Sequence, residues 1–226
     1  MPVTAMSVNK EAYQLLKKEL EEKQVTLVAV SKTKPVSDIL ELYKLGNRDF
    51  GENYVQEMIT KARQLPDVIH WHFIGHLQTN KVKLIVPFVQ LIHGVDSLKL
   101  LKEISKQGEK CGRVINCLLQ IHIAEEESKF GLNEKELNEA MTHYLNHSMP
   151  GVQICGLMGM ASFTNDMNKI RKEFHYLKSL FAKLSTSGSS HHILSMGMSG
   201  DYKIAIEEGS TMVRLGSLLF GERSSG

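Results

Sequence analysis

Several shortages bound this sequence before any residue is considered for function. Cysteine is scarce: the 3 present, Cys111, Cys117 and Cys155, are odd in number and lack metal-ligand spacing, which argues against a disulfide framework or a cysteine zinc site. Buried free thiols are expected, since Cys117 and Cys155 sit within apolar runs. No charge of one sign dominates: 27 basic and 25 acidic residues are interspersed and leave a net +2, too weak a field to gather nucleic acid or anionic lipid. No apolar run approaches the roughly 18 residues of a membrane span, and positions 1–10 lack a basic segment followed by an apolar one, so a cytoplasmic protein is expected. Interdomain linkers are missing too. The one Ser/Gly-rich stretch, 185–190, is of loop length, and 224–226 reads as a frayed tail, so residues 1–226 are expected to form a single domain with its core at 8–223.

What is present is rhythm. After a polar amphipathic segment at 9–23, short β-rich runs alternate with helical patterns. The strands are placed at 26–30, 48–50, 70–74, 91–93, 114–121, 152–157, 192–194 and 212–215. The helices are placed at 37–45, 54–64, 81–86, 98–107, 134–146, 166–184 and 202–208, with a stub at 217–220. Strict alternation predicts a parallel sheet covered by helices, and eight units favour an α/β fold closed as a (β/α)8 barrel with an extra N-terminal helix. The chemically unusual residues follow the strands: Lys32, Glu52 and Asn53, Gly75 and His76, Asp96, Lys129, Met158 to Met160, Ser195 to Gly200, then Gly216 and Ser217. In a barrel these loops converge on the face that carries function, whereas an open sheet would string them along an edge.

Lys32 shares the period-two parity of Val28 and Val30, so its amine is expected at the barrel mouth, where apolar surroundings favour the neutral, aldehyde-reactive form. Lys34 shares that parity but precedes Pro35, which should turn it toward solvent. A lysine at a strand end also has the bland reading of a solvated charge. The loop Ser195-Met196-Gly197-Met198-Ser199-Gly200-Asp201 combines glycines, hydroxyls and a helix start, which suits a phosphate, as does Arg214-Leu215-Gly216-Ser217 beside it. An ordinary helix cap is the competing explanation. Arg214 falls within a strand and needs an internal acceptor: a pyridine nitrogen, or an ion-pair partner such as Glu222 or Glu52. His70, His72 and His76 surround Trp71 without supporting metal ligands, so packing, or a hydrogen-bonded His76 near the pocket, is the expectation. Met158, Met160, Met196 and Met198 suit either core filling or a soft wall against a flat ring.

Five segments in order carry a resemblance: Val-Ala-Val-Ser-Lys-Thr-Lys-Pro (28–35), Phe-Gly-Glu-Asn-Tyr-Val-Gln-Glu (50–57), Trp-His-Phe-Ile-Gly-His-Leu-Gln-Thr-Asn-Lys (71–81), Leu-Ser-Met-Gly-Met-Ser-Gly-Asp (194–201) and Val-Arg-Leu-Gly-Ser-Leu-Leu-Phe-Gly (213–221). From about residue 8 to Arg223 the chain resembles the pyridoxal phosphate homeostasis protein family. The resemblance implies a fold-type III pyridoxal 5′-phosphate (PLP) protein, similar to the N-terminal barrel of alanine racemase and without established catalytic activity. It implies a Schiff base on Lys32, Arg214 facing the pyridine nitrogen, and Ser195, Ser199, Gly216 and Ser217 around the phosphate, with Asn53, His76 and Met198 near the ring. It further implies a monomer that supplies PLP-dependent apo-enzymes. Gly94 departs from the serine common in the family. A two-base racemase needs a second acid–base group, which related racemases take from a further β domain; this sequence ends as its eighth unit closes, so a carrier is expected and a low-turnover racemase is the alternative.

Overall fold

The computed structural model describes residues 8–126, 130–185 and 192–221. Each chain segment of the predicted rhythm takes up its element. The order is α1 (Lys10–Glu22), β1 (Thr26–Val30), α2 (Val36–Lys44), β2 (Asp49–Glu52), α3 (Val55–Ala62), β3 (His70–Phe73), a 3-10 turn (Thr79–Lys81) running into α4 (Val82–Ile85), β4 (Val89–Val95), α5 (Leu98–Lys110) and β5 (Ile115–Ile121). It continues through α6 (Glu134–Asn146), β6 (Val152–Gly159), α7 (Met167–Ser185), β7 (Ile193–Ser195), α8 (Tyr202–Glu207), β8 (Met212–Leu215) and α9 (Ser217–Phe220). The strands are all parallel, each pairs with the next, and β8 closes on β1 with Val28 beside Arg214. The expected (β/α)8 barrel, with its extra helix α1, is the observed fold.

Alternation along the strands sorts side chains into two cores. Val28, Leu91, Leu118, Cys155, Met158 and Met212 fill the barrel interior as one cluster. Their neighbours Ala29, Ile92, Leu119, Leu157 and Val213 face outward and pack with helix residues such as Ile39, Leu42, Met58, Ile104 and Phe174. Helix starts are fixed by side chains: Asn9 accepts from Ala12 N, Ser97 from Leu100 N, and Asn133 forms a reciprocal capping box with Glu136. Helix α1 buries Tyr13, Leu16 and Leu20 and is tied to α9 by the Asn9 amide donating to the Leu219 carbonyl at 2.8 Å.

Several boundaries differ from expectation. Strand β2 runs through Gly51 and Glu52, residues of low intrinsic strand preference, because they pair in register with His72 and Phe73 of β3. Strand β4 extends to Val95 past Gly94, and the fourth helical unit is a 3-10 turn followed by a single short helix. The 191–192 pair and Lys129 are only partly accessible to comparison: His191, Lys129, Glu222 and the expected tail 224–226 lie outside the described residues.

Cys117 and Cys155 are buried free thiols, but Cys111 is exposed, because it caps the end of α5 at the surface. Burial pushes the Cys117 and Cys155 thiols above the usual cysteine range. A thiol reagent such as DTNB should therefore titrate Cys111 promptly in the native protein and reach the other two only on denaturation; rapid reaction of Cys117 in native buffer would contradict this packing.

Candidate functional site

At the C-terminal ends of the strands lies a cavity of ≈ 630 Å³, within the size range of small-molecule sites. Lys32, Asn53, Met198, Ser199, Arg214, Gly216 and Ser217 all line it, Arg214 from within β8 and the others from the segments after β1, β2, β7 and β8. Period-two geometry accounts for Lys32: Val28 is buried inside the barrel, Val30 reaches the cavity, and Lys32 comes next on that side, half-buried. Ile74, Met160 and the 161–165 segment after β6 complete the wall. Met160 and Met198 are thus wall residues, whereas Met158 and Met196 are core.

The residues on either side of Lys32 are gripped from below by a buried ionic cluster. Lys61 of α3 donates to the Ser31 carbonyl at 2.7 Å, to Glu52 Oε1 at 2.8 Å and to Glu57 Oε1 at 2.7 Å. The Ser31 hydroxyl donates to Glu52 Oε1 at 2.6 Å, and the Thr33 amide donates to Glu57 Oε1 at 2.6 Å. Thr33 is held at φ 65°, a left-handed conformation that a threonine adopts only when its surroundings impose it. Burial pushes the Glu52 carboxyl up, with Lys61 opposing. Lys34 does not turn out to solvent as expected; its amine donates to the Phe220 carbonyl at 2.8 Å, locking the β1 loop to α9.

On the cavity floor stands Arg214, only 4% exposed. Burial pushes its pKa down to about 10, with Asp201 opposing, so it remains a cation at neutral pH. Neither Glu52 nor Glu222 is its recorded partner: Glu52 is committed to Lys61 and Ser31, and Glu222 lies outside the described residues. Arg214 instead donates through Nη1 to Ser195 Oγ at 2.6 Å and through Nη2 to the Gly159 carbonyl at 3.1 Å. Ser195 is fully buried beneath the cavity and does not line it, so its hydroxyl holds Arg214 rather than reaching a phosphate.

From Ser195 the hydrogen bonds continue across the barrel interior. His93 Nδ1 meets Ser195 Oγ at 3.1 Å, His93 Nε2 meets His72 Nδ1 at 2.9 Å, and His72 Nε2 meets Asp49 Oδ1 at 3.0 Å. His70 joins from outside, its Nδ1 at 3.2 Å from the same Asp49 oxygen. His93 is held well below the usual histidine range by burial first, then by His72 and Arg214. For Asp49, burial favours the neutral carboxyl, but the hydrogen bonds from His72 and His70 outweigh it and hold the group below the usual carboxylate range.

The phosphate-suited loops frame the other side. Gly197 has φ 98°, and a Cβ there would approach the Ala205 Cβ at 2.6 Å, so only glycine lets the chain turn from β7 toward Ser199. The Gly216 amide donates to Ser199 Oγ at 3.4 Å, joining the two loops. Asn53 Oδ1 is buried with no hydrogen-bond partner among the described residues. Gly75 keeps that position tight, since a Cβ there would meet the Asn53 carbonyl at 2.3 Å. His76, by contrast, is not brought to the cavity: it bonds Asp96 at 3.0 Å and stacks on Phe130 with centroids 4.3 Å apart.

The supporting residues Asp49, Lys61, His93 and Glu173 were not apparent from sequence. Glu173 anchors the β6 loop by accepting from the Ser162 amide at 2.7 Å and hydroxyl at 2.6 Å. The nearest signal was parity, which places His72 and Arg214 inside the barrel, but no pattern along one strand specifies the facing residue on another. Among the described residues no group of His, Cys, Asp or Glu has the arrangement of a metal site.

Comparison with known proteins converges on one family. The family model described as alanine racemase, N-terminal domain, matches residues 9–224. The pyridoxal phosphate homeostasis protein of Aquifex aeolicus is 41% identical over 199 residues, covering 87% of this chain and 86% of that relative. The protein of the same name from Pongo abelii is 40% identical over 226 residues, covering 94% and 82%. The structure of PipY from Synechococcus elongatus PCC7942 with PLP bound superposes with a TM-score of 0.86 at 32% identity, over 96% of this chain and 100% of that one. An alanine racemase from Clostridium difficile 630 shares the fold at 14% identity, with a TM-score of 0.72, over 58% of its length.

Two outcomes follow from the supports. Lys61→Met keeps the stem but strips the cation from Glu52 and Glu57, and should lower unfolding stability by about 3–5 kcal/mol, partly recovered by adding Glu52→Gln; urea denaturation reads both. Because the folded pKa of Asp49 is depressed, its stabilising contribution is full above the unfolded value and lost as pH falls through the folded one. The stability gap between wild type and Asp49→Asn should thus hold at neutral pH and close below about pH 4, and a gap that widens on acidification would contradict the assignment.

Proposed function

This chain belongs to the pyridoxal phosphate homeostasis protein family, within the alanine racemase N-terminal domain family, and from that premise we propose that it binds PLP in the barrel-mouth cavity and carries and buffers it for the cell. One observation supports the reading above others: Lys32, the buried Arg214 and Asn53, whose Oδ1 is buried without a partner among the described residues, line one cavity beside two loops bearing Ser199, Gly216 and Ser217. These residues suit the parts of PLP. A phosphate takes hydroxyl and amide donors, and a heteroaromatic ring takes the Met160 and Met198 wall. PLP, when bound, supplies an aldehyde whose carbon can condense with a neutral lysine amine, releasing one water and leaving a covalent C=N link.

Lys32 is the amine in this reading, and the grip of Lys61, Glu52 and Glu57 on Ser31 and Thr33 keeps it at the mouth. Arg214 faces the ring nitrogen. A guanidinium donates a hydrogen bond but keeps its proton at neutral pH, so the ring nitrogen stays unprotonated and withdraws electrons weakly. That property suits a carrier better than a racemase, and the chain's relatives are named for homeostasis. Its three free thiols support a reducing compartment, the cytoplasm, where it would act as a monomer and supply apo-enzymes.

The test is spectroscopic. Purified protein incubated with PLP should acquire a visible absorbance that borohydride abolishes, leaving the added mass on Lys32. Lys32→Ala should lose that reducible adduct while retaining its fold by circular dichroism. An adduct that survives the substitution overturns the lysine assignment, and multiple turnovers of alanine or serine racemisation would replace the carrier with an enzyme.

A further inference from the structure

The hydrogen-bonded series across the barrel has chemically fixed ends. Arginine has only donors and an ionised aspartate only acceptors. Ser195 Oγ accepts from Arg214 at 2.6 Å and lies 3.1 Å from His93 Nδ1, and one arrangement satisfies every group in the series: the Ser195 proton is directed to His93 Nδ1. In that arrangement His93 carries its proton on Nε2, which donates to His72 Nδ1 at 2.9 Å. His72 in turn carries its proton on Nε2 and donates to Asp49 Oδ1 at 3.0 Å. Each neutral imidazole uses one donor and one acceptor, and every bond points the same way. With the neighbouring protons so placed, a second proton on either ring would set a donor against a donor in a fully buried interior, where an unmade hydrogen bond is costly.

Taken singly these residues look like interior packing. Together they link a carboxylate at the start of β2 to the guanidinium at the opposite, cavity end of the barrel, through three buried side chains, the five residues standing on five strands. Among the described residues the other hydrogen bond of Arg214 is to the Gly159 carbonyl, and apolar side chains flank it: Val28 lies beside it in the β1–β8 register, and Met158 and Met212 belong to the same interior. A cation so placed needs a directed acceptor to hold one orientation.

We propose that Asp49, His72, His93 and Ser195 form a one-directional hydrogen-bond relay that pins the Arg214 guanidinium against the cavity floor, making them positioning residues for the ligand ring. The proposal rests on the PLP reading for what Arg214 faces, but the relay itself is a property of the chain alone. Neither ring is a metal ligand or a proton donor to substrate. Their function is to keep the acceptor at Ser195 oriented toward Arg214 and to present it with a fixed lone pair.

Two measurements test this. Long-range ¹H–¹⁵N spectra of the full chain without PLP should show His72 and His93 as neutral rings protonated on Nε2; an imidazolium or an Nδ1-protonated tautomer at either position overturns the relay whatever the protein binds. Titrations with PLP should then show Ser195→Ala and His93→Leu weakening binding by about tenfold. Cys155→Ala, which perturbs the same interior without touching the series, should remain within about twofold of wild type. Should His93→Leu fail to fold, Ser195→Ala removes only a hydroxyl and still decides. Wild-type affinity in Ser195→Ala overturns the positioning role and leaves the PLP assignment standing, whereas a wild-type chain that binds no PLP defeats that assignment and leaves the tautomer result intact.

Discussion

A positive charge buried in an apolar barrel is the constraint around which the site is built. Arg214 sits one position above Met212 on β8 and beside Val28 on β1, among side chains that offer it nothing. An unpaired ion in such a medium costs several kcal/mol. The structure does not answer with an adjacent carboxylate, which would neutralise the guanidinium at the cavity. It answers with a hydroxyl and a carbonyl in contact, with Asp201 across the cavity as the carboxylate whose charge acts on it, and with Asp49 at the far end of the hydrogen-bonded series. The charge is therefore stabilised while remaining a cation at the floor of the cavity.

The Lys32 side is solved differently. There the charges touch: Lys61 contacts Glu52 and Glu57 directly, and the backbone on either side of Lys32 is tied to that cluster. The contrast has a physical sense. The cluster's own charges are in mutual contact, and it fixes the loop through direct bonds to the Ser31 carbonyl and hydroxyl and the Thr33 amide. Arg214 is useful as a charge, and the groups in direct contact with it are a neutral hydroxyl and a carbonyl. Glu52 Oε2 lacks a partner among the described residues, so the cluster is not fully satisfied, consistent with burial pushing that carboxyl up.

Much of this was legible in the sequence because the barrel ties function to a period of two. Lys32, Asn53, Met198, Ser199, Gly216 and Ser217 stand out as unusual residues that follow strands, Arg214 as a charge within one, and the cavity gathers all of them. The same rule failed where it required depth along the strand or identity across strands. Ser195 belongs to the glycine- and serine-rich segment but lies inside β7, one layer beneath the ligand space. His76 follows β3 as expected, yet Asp96 and Phe130 hold it elsewhere on the rim. Lys61 appears in sequence as one more helix lysine; only the pairing of β1 with β2 brings Ser31 and Glu52 beneath α3 and gives it partners. His72 and His93 lie on adjacent strands 21 residues apart, a relation that no local window contains.

The two halves of the cavity also differ in what they permit to move. The floor is a saturated polar series inside a closed ring of strands, where any rotation breaks several bonds at once. The rim carries side chains with few commitments: Phe163 is 98% exposed and Met198 38%. Loops at such a rim rearrange at small energetic cost, whereas strands do not. On the proposed reading the ring end of the ligand meets the rigid surface and the phosphate end meets the loops. Release then requires only hydrolysis at Lys32 and displacement at the rim, with the floor unchanged and ready for the next molecule. A barrel that stores a reactive aldehyde and gives it up intact needs that asymmetry, because recognition must persist while the exit remains soft.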